Sequence, residues 1–310
     1  MVNKSILQTN HLCSIYFAPR GRDRLYSLGM QIAQQYLTPF DKLIGVIGEA
    51  GSGKSVLVKA MFPGLELTND DNGVNVRPLP LMDQDNMGHG FFSPHTYHVD
   101  IRFELGFTQP FELADAIMQA VRKGKRVVVE HFDLIYPFLM GTNAQLLIGI
   151  GEEILVSRPN KFGPDPQEVA NIVHNSLIYR QMAHTAEDLC EFYMTPEQCN
   201  ACYHGDLRHG FLLAFDREKP DLDLVALEAK VKEAIAQNVS IDYVDEGHIN
   251  IGGVRHNCTG PRTHVQTAGM IENFHLEPEL TYNELTDQYL VIGHVGEPVD
   301  NAQILSGLLS

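Results

Sequence analysis

The chain has 310 residues, 44% hydrophobic and 20% charged, with 26 glycines and 16 prolines. This ordinary globular composition excludes collagen-like and low-complexity chains and is long enough for two domains with separate cores. The 39 acidic against 23 basic residues give a net charge of −16, which disfavours stable binding of bulk nucleic acid.

The N-terminal residues show no apolar run with a cleavage pattern, and no long apolar stretch follows, so a cytosolic protein with no membrane partner is expected. The five cysteines, odd in number, read as thiols or metal ligands before disulfides.

In chain order, Leu43-Ile44-Gly45-Val46-Ile47 predicts a buried strand, and Lys54 to Met61 predicts a helix with apolar positions on one side. Between them stands Gly48-Glu49-Ala50-Gly51-Ser52-Gly53-Lys54-Ser55, a complete G-x-x-x-x-G-K-S in the strand, loop, helix order that a phosphate-binding loop requires. Gly48, Gly51, Ser52 and Gly53 let backbone N–H groups wrap phosphate oxygens, while the helix N-terminus favours negative charge. Lys54 reaches the β- and γ-phosphates and the Ser55 hydroxyl coordinates Mg²⁺. The expected ligand is ATP or GTP, the base being left open.

After a polar stretch, Thr68 to Gly73, the segment Asp83 to Glu104 is dense in titratable groups: Asp83, Asp85, His89, His95, His98, Asp100, Arg102 and Glu104. Such density supplies either a general base and substrate clamp or a polar loop of hydrogen-bonded histidines. Asp83 or Asp85 is the candidate base and Arg102 the candidate phosphate ligand.

Pro110 to Lys123, stopped by Gly124, predicts a helix leading into the buried strand Arg126-Val127-Val128-Val129-Glu130. Glu130, with Asp133 as the alternative, is the candidate acid for the metal's water shell. Apolar runs at Leu146 to Ile150 and Ile154 to Val156 complete an alternation that predicts an α/β fold, a parallel sheet with helices on both faces.

Ser157 to Pro166, with three prolines and a glycine, predicts a linker, so the expected domains are 1–165 and 166–310. Beyond it the pattern predicts a helix from about Gln167 to Cys190, a strand from Gly210 to Phe215 and a helix from Leu222 to Gln237. Strands follow near 241–244, 249–254 and 289–295, a smaller α+β domain. Cys190, Cys199, Cys202 and His204 form one cluster of metal-ligand type, with buried apolar cysteines as the alternative.

The strand Gly210-Phe-Leu-Leu-Ala-Phe-Asp216, its following helix, and Cys258-Thr-Gly-Pro-Arg-Thr-His264-Val-Gln-Thr-Ala-Gly-Met-Ile271 resemble the second additional domain of threonyl- and alanyl-tRNA synthetases. That resemblance implies an editing-type fold whose histidines and cysteine hold a metal and hydrolyse mischarged aminoacyl-tRNA. Two features depart from the family: five residues separate Cys258 from His264 where the family has three, and one histidine, His184, stands where the family has an H-x-x-x-H pair. His184, Cys258 and His264, with His256 or Asp188, are the candidate Zn²⁺ ligands.

The first half is most similar to small-molecule kinases of the uridine kinase type, which in one bacterial group carry the synthetase-type domain ahead of the kinase; here the order is reversed. Three activities follow as expectations. One is phosphoryl transfer to an unidentified small-molecule acceptor, and a second is nucleotide-gated binding or assembly with slow hydrolysis. A third is metal-dependent deacylation, with a tRNA end as partner, which the acidic composition disfavours.

Overall fold

The computed structural model describes residues 13–68, 79–82 and 95–299, and the branched aliphatic runs of its first half build one sheet. The strands are Cys13–Phe17 (β1), Leu43–Ile47 (β2), Thr96–Asp100 (β3), Arg126–Glu130 (β4), Leu146–Ile150 (β5) and Glu153–Ser157 (β6), in the spatial order β1-β6-β5-β2-β4-β3. Strands β3, β4, β2 and β5 are parallel, with Ile44 beside both Val128 and Leu146. Every residue of β2, β5 and β6 is buried, as a sheet covered on both faces demands.

The sheet is mixed rather than wholly parallel, because the two residues between β5 and β6 permit only an antiparallel return. The sequence pattern also missed β1, the helix Arg22–Tyr36 (α1) and β3. The edge strand β3 carries polar residues that mask its alternation.

Helix Lys54–Met61 (α2) leaves the glycine loop, and at Gly29 of α1 a Cβ would lie 2.7 Å from Ala60 Cβ, so the two helices approach closely only through glycine. A short helix, Ile101–Glu104 (α3), ends β3; Pro110–Arg122 (α4) and Phe132–Ile135 (α5) flank β4. Leu113, Ile117 and Ala120 of α4 share a core with Leu43, Val127, Val129 and Leu147. The helix Pro166–Tyr193 (α6) joins that core through Val169 and Val173.

Two compact units result: one takes the described residues up to Tyr16 and from Arg24 to Asn175, the other Phe17–Asp23 and the described residues from Ser176 onward. The division falls inside α6 rather than at the proline-rich segment. That segment belongs to the first unit, where Arg158 reaches Asp41 Oδ1 at 2.6 Å and Asn143 donates to the Pro164 carbonyl.

In the second unit Pro196–Ala201 (α7) is followed by Cys202–Leu207 (β7), Gly210–Asp216 (β8) and Leu224–Ala236 (α8). Strands Ile241–Asp245 (β9), His248–Ile251 (β10) and Val254–Asn257 (β11) form an antiparallel sheet. The span expected as one strand at 249–254 is a hairpin, turned at Gly252 and Gly253, both at positive φ. His275–Leu276 (β12), Thr281–Asn283 (β13) and Gln288–His294 (β14) complete a second sheet with β8 and β7. Among the described residues no helix is long and apolar enough to cross a membrane.

Phe211 of β8 is fully buried and faces Gly293, where a Cβ would lie 2.3 Å from its ring. Phe211→Ala is expected to cost about 3–5 kcal/mol, read as a lowered urea midpoint of the second unit's transition. An unchanged midpoint would remove this ring from the centre of the core.

Candidate functional site

Each unit gathers chemically able side chains among its described residues. In the first, parallel register sets Val46 beside Glu130 and Glu130 beside Asp100, so the C-terminal ends of β2, β4 and β3 deliver the glycine loop and two acids to one region. The loop's glycines are required by geometry. A Cβ on Gly48 would meet the Ile150 carbonyl oxygen at 2.7 Å, and Gly53 has φ 93°. Gly53 is also the N-cap of α2 and supplies no side-chain acceptor, so the helix's first N–H groups are offered to whatever enters the loop.

Lys54 is buried and donates to the Glu49 carbonyl at 2.9 Å. Burial lowers its pKa, opposed chiefly by the charge of Glu130. Ser55 follows in the first turn of α2, partly buried. Glu130 accepts from His98 Nε2 at 3.1 Å, and the tautomer is set from the other side, because His98 Nδ1 accepts the Thr68 backbone N–H at 3.1 Å.

Arg102 reaches the loop and grips Glu49 through two bonds of 2.9 and 3.2 Å, which lower the Glu49 pKa and raise that of Arg102. Ser52, Lys54, Ser55, Glu130 and Arg102 are therefore brought to one end of the sheet. Asp83 and Asp85 lie outside the described residues.

Three further groups surround this end that the sequence pattern did not single out for it or ranked second. His131 takes φ 56°, a left-handed conformation, directly after Glu130. Burial, reinforced by Lys54 and Arg102, lowers its pKa to about 3. Asp133 is pushed up by burial. His174 Nδ1 stands 3.7 Å from Glu49 Oε1. His131 Nδ1, Asp133 Oδ1 and His174 Nε2 are buried and have no hydrogen-bond partner among the described residues. The His-Phe-Asp run after a strand-ending acid was the available signal.

In the second unit, α6 projects His184 and Asp188 one turn apart, and the segment after β11 returns Cys258 and His264 to them. Cys258 Sγ is 3.7 Å from His184 Nε2 and 3.2 Å from His264 Nε2. Asp188 is 3.8 Å from His184 Nε2 through Oδ1 and 3.5 Å from His264 Nε2 through Oδ2. Zinc bonds of about 2.0–2.3 Å give a tetrahedron with edges of roughly 3.3–3.8 Å, the spacing seen here.

The donor set fits such an ion in protonation as well. His184 Nδ1 donates to the Thr263 carbonyl at 3.0 Å. Thr185 Oγ1 gives its own proton to the Gln181 carbonyl and so accepts from His264 Nδ1 at 3.2 Å. Both rings thus carry the proton on Nδ1 and turn an Nε2 lone pair toward Cys258 and Asp188. The Gly260 N–H donates to Cys258 Sγ at 3.3 Å.

Burial holds His184 well below its ordinary pKa and lowers His264 to about 3, while it raises Asp188 and Cys258. The five residues between Cys258 and His264 turn back through the Thr263 N–H to the Gly260 carbonyl, so the two side chains converge. Asp188 is the fourth member of the group.

No family model matches the chain, and no curated protein matches it significantly.

His131 gives this region a pH signature. Its pKa falls from an unfolded value near 6.5 to about 3 in the fold, so the unfolded chain binds a proton that the native chain refuses between those values. Stability is therefore lost as pH falls through that window. His131→Gln is expected to lose about 2 kcal/mol less than the wild type between pH 7 and 4.5. Equal losses in urea titrations would mean that His131 is not the group refusing the proton.

Proposed function

We propose that the first unit is a P-loop phosphotransferase that binds ATP or GTP with Mg²⁺ and passes the γ-phosphoryl group to a small-molecule acceptor. The observation that carries this reading is the meeting, at one end of a parallel sheet, of the glycine loop, the uncapped N-terminus of α2 bearing Lys54, and Glu130 on the adjacent strand.

Each residue has a role in this reading. Lys54 and the backbone N–H groups of 48–53 hold the β- and γ-phosphates. Ser55 and Glu130 would hold Mg²⁺, which supplies charge neutralisation at the transferring group. Arg102 exchanges the Glu49 carboxylate for a phosphate, which presents the same bidentate pair of oxygens. The sequence offers Asp83 or Asp85 to take the acceptor's proton. Among the described residues Asp133 suits that task, since burial raises its pKa and Oδ1 has no hydrogen-bond partner among them.

In the second unit the reading assigns a zinc-class ion to His184, Asp188, Cys258 and His264, supported by the ligand spacing and the two fixed tautomers. Four protein ligands make a closed site of structural type. Hydrolysis of an aminoacyl ester on a tRNA end requires an open position for water, which this four-ligand set does not leave, so in this reading the set has a structural role.

Purified protein with Mg-ATP or Mg-GTP and a panel of nucleosides and small hydroxylated metabolites should transfer the γ-phosphoryl group to one of them. Lys54→Ala should lose roughly 10²–10³-fold in turnover. Phosphate released only to water, at equal rates in both proteins, would end the phosphotransferase reading. For the second unit, Cys258→Ser should lower bound zinc per chain, measured by elemental analysis; an unchanged content would end that assignment.

A further inference from the structure

The face of α6 that carries His184 and Asp188 continues for another turn, and a second group of ligand-type atoms meets there. Glu191 Oε1 accepts from Cys202 Sγ at 3.5 Å and lies 3.3 Å from His204 Nε2. The three ligand atoms lie within 4.8 Å of one another, and the two distances through Glu191 match edges of a tetrahedral zinc site, which run to roughly 3.3–3.8 Å. Cys202 and His204 lie on β7, whose alternation sends them to the same face, while Glu191 comes from the helix.

The surroundings have the form of a second coordination layer. His204 Nδ1 is 3.3 Å from Glu187 Oε1, the carboxylate–histidine pairing that orients a ligating ring and directs its other nitrogen to the metal. Glu187 is itself fixed by two bonds from Arg20, of 3.0 and 3.1 Å, with both side chains buried. The same atoms would also accommodate an imidazolium between two carboxylates. In that alternative the Cys202 thiol is a hydrogen-bond donor, 3.5 Å from Glu191 Oε1 and 3.3 Å from the Cys199 carbonyl; the metal reading uses instead the convergence of all three ligand-type atoms within 4.8 Å.

We propose that Glu191, Cys202 and His204 bind a second divalent ion of the zinc class, one helical turn from the four-ligand set. Thiolate and imidazole select zinc or cobalt over magnesium or calcium. With three protein ligands the fourth position belongs to solvent or to a small anionic ligand, and His204, about one-third exposed in its side chain, leaves the site reachable from water. Asp188 and Glu191, which with His256 bring ligand atoms within 4.8 Å of one another, link the two sites along the helix.

The site is tested by titrating metal-stripped full-length protein with Co²⁺, following thiolate-to-cobalt charge-transfer absorption and bound metal per chain. Two equivalents are expected in the wild type and one fewer in the Cys202→Ser, His204→Ala double variant. Glu191→Gln, which keeps the side chain's shape, should weaken the second equivalent at least tenfold and serves where the double variant does not fold. A single equivalent in the wild type, lost with Cys258→Ser, would overturn this site and leave the four-ligand assignment standing. The loss of one equivalent in the double variant but none in Cys258→Ser would support this site and remove the other. A double variant or Glu191→Gln that keeps two equivalents at wild-type affinity also overturns it.

Discussion

An ionisable group withdrawn from water must be paired, neutralised or bound to a cation, and this constraint arranges both units of the chain. In the second unit it is met by the Arg20–Glu187 ion pair, 3.0 Å long and almost wholly buried, with Arg20 also donating to the Gly205 and Gly210 carbonyls. That pair fixes the middle of the helix face bearing His184, Asp188 and Glu191, and ties it to the strands beside it. Removing one partner would leave a buried charge uncompensated, a loss on the order of 3–5 kcal/mol. The ladder of ligand-type side chains depends on this anchor for its orientation.

In the first unit the same constraint works at the ends of parallel strands. Lys54 is buried opposite Glu130, and Glu130 is held by a histidine whose own tautomer is dictated by a backbone N–H. A carboxylate oriented in this way costs no reorganisation when charge develops nearby. Buried polar atoms of His131, Asp133 and His174 without hydrogen-bond partners among the described residues, and the left-handed backbone at His131, carry an energetic cost that packing alone does not repay. They are concentrated beside the glycine loop, at the end of the sheet to which the proposed phosphoryl transfer is assigned.

Periodicity made β2, α4, β4, β5, β8, α8 and β14 legible, because each carries a continuous or regularly spaced apolar pattern that matches its buried positions. It failed at β3, whose ionisable residues belong to the site end of an edge strand, and at α1, where small and polar residues dilute the apolar stripe. It also merged β10 with β11, since a Gly-Gly turn separates two stretches that both alternate. Lys54 and Ser55 were singled out by motif spacing, and Glu130, with Asp133 as the alternative, by its place at the end of a buried apolar run. Glu49, His174 and Thr185 were not, since each acts on a partner remote in sequence.

The sequence by itself determined the glycine loop, the strand and helix on either side of it, and the residue types from which a cation site could be assembled, because these rest on local backbone geometry and on chemistry within a few positions. Tertiary structure decided which of those residues meet. It returned Cys258 and His264 to His184 across a turn that the linear spacing disguised, supplied Asp188 as the fourth partner, and grouped Glu191 with Cys202 and His204 across a helix and a strand. Convergence of that kind depends on the register of packed elements, where a shift of one residue in a strand sends a side chain to the opposite face.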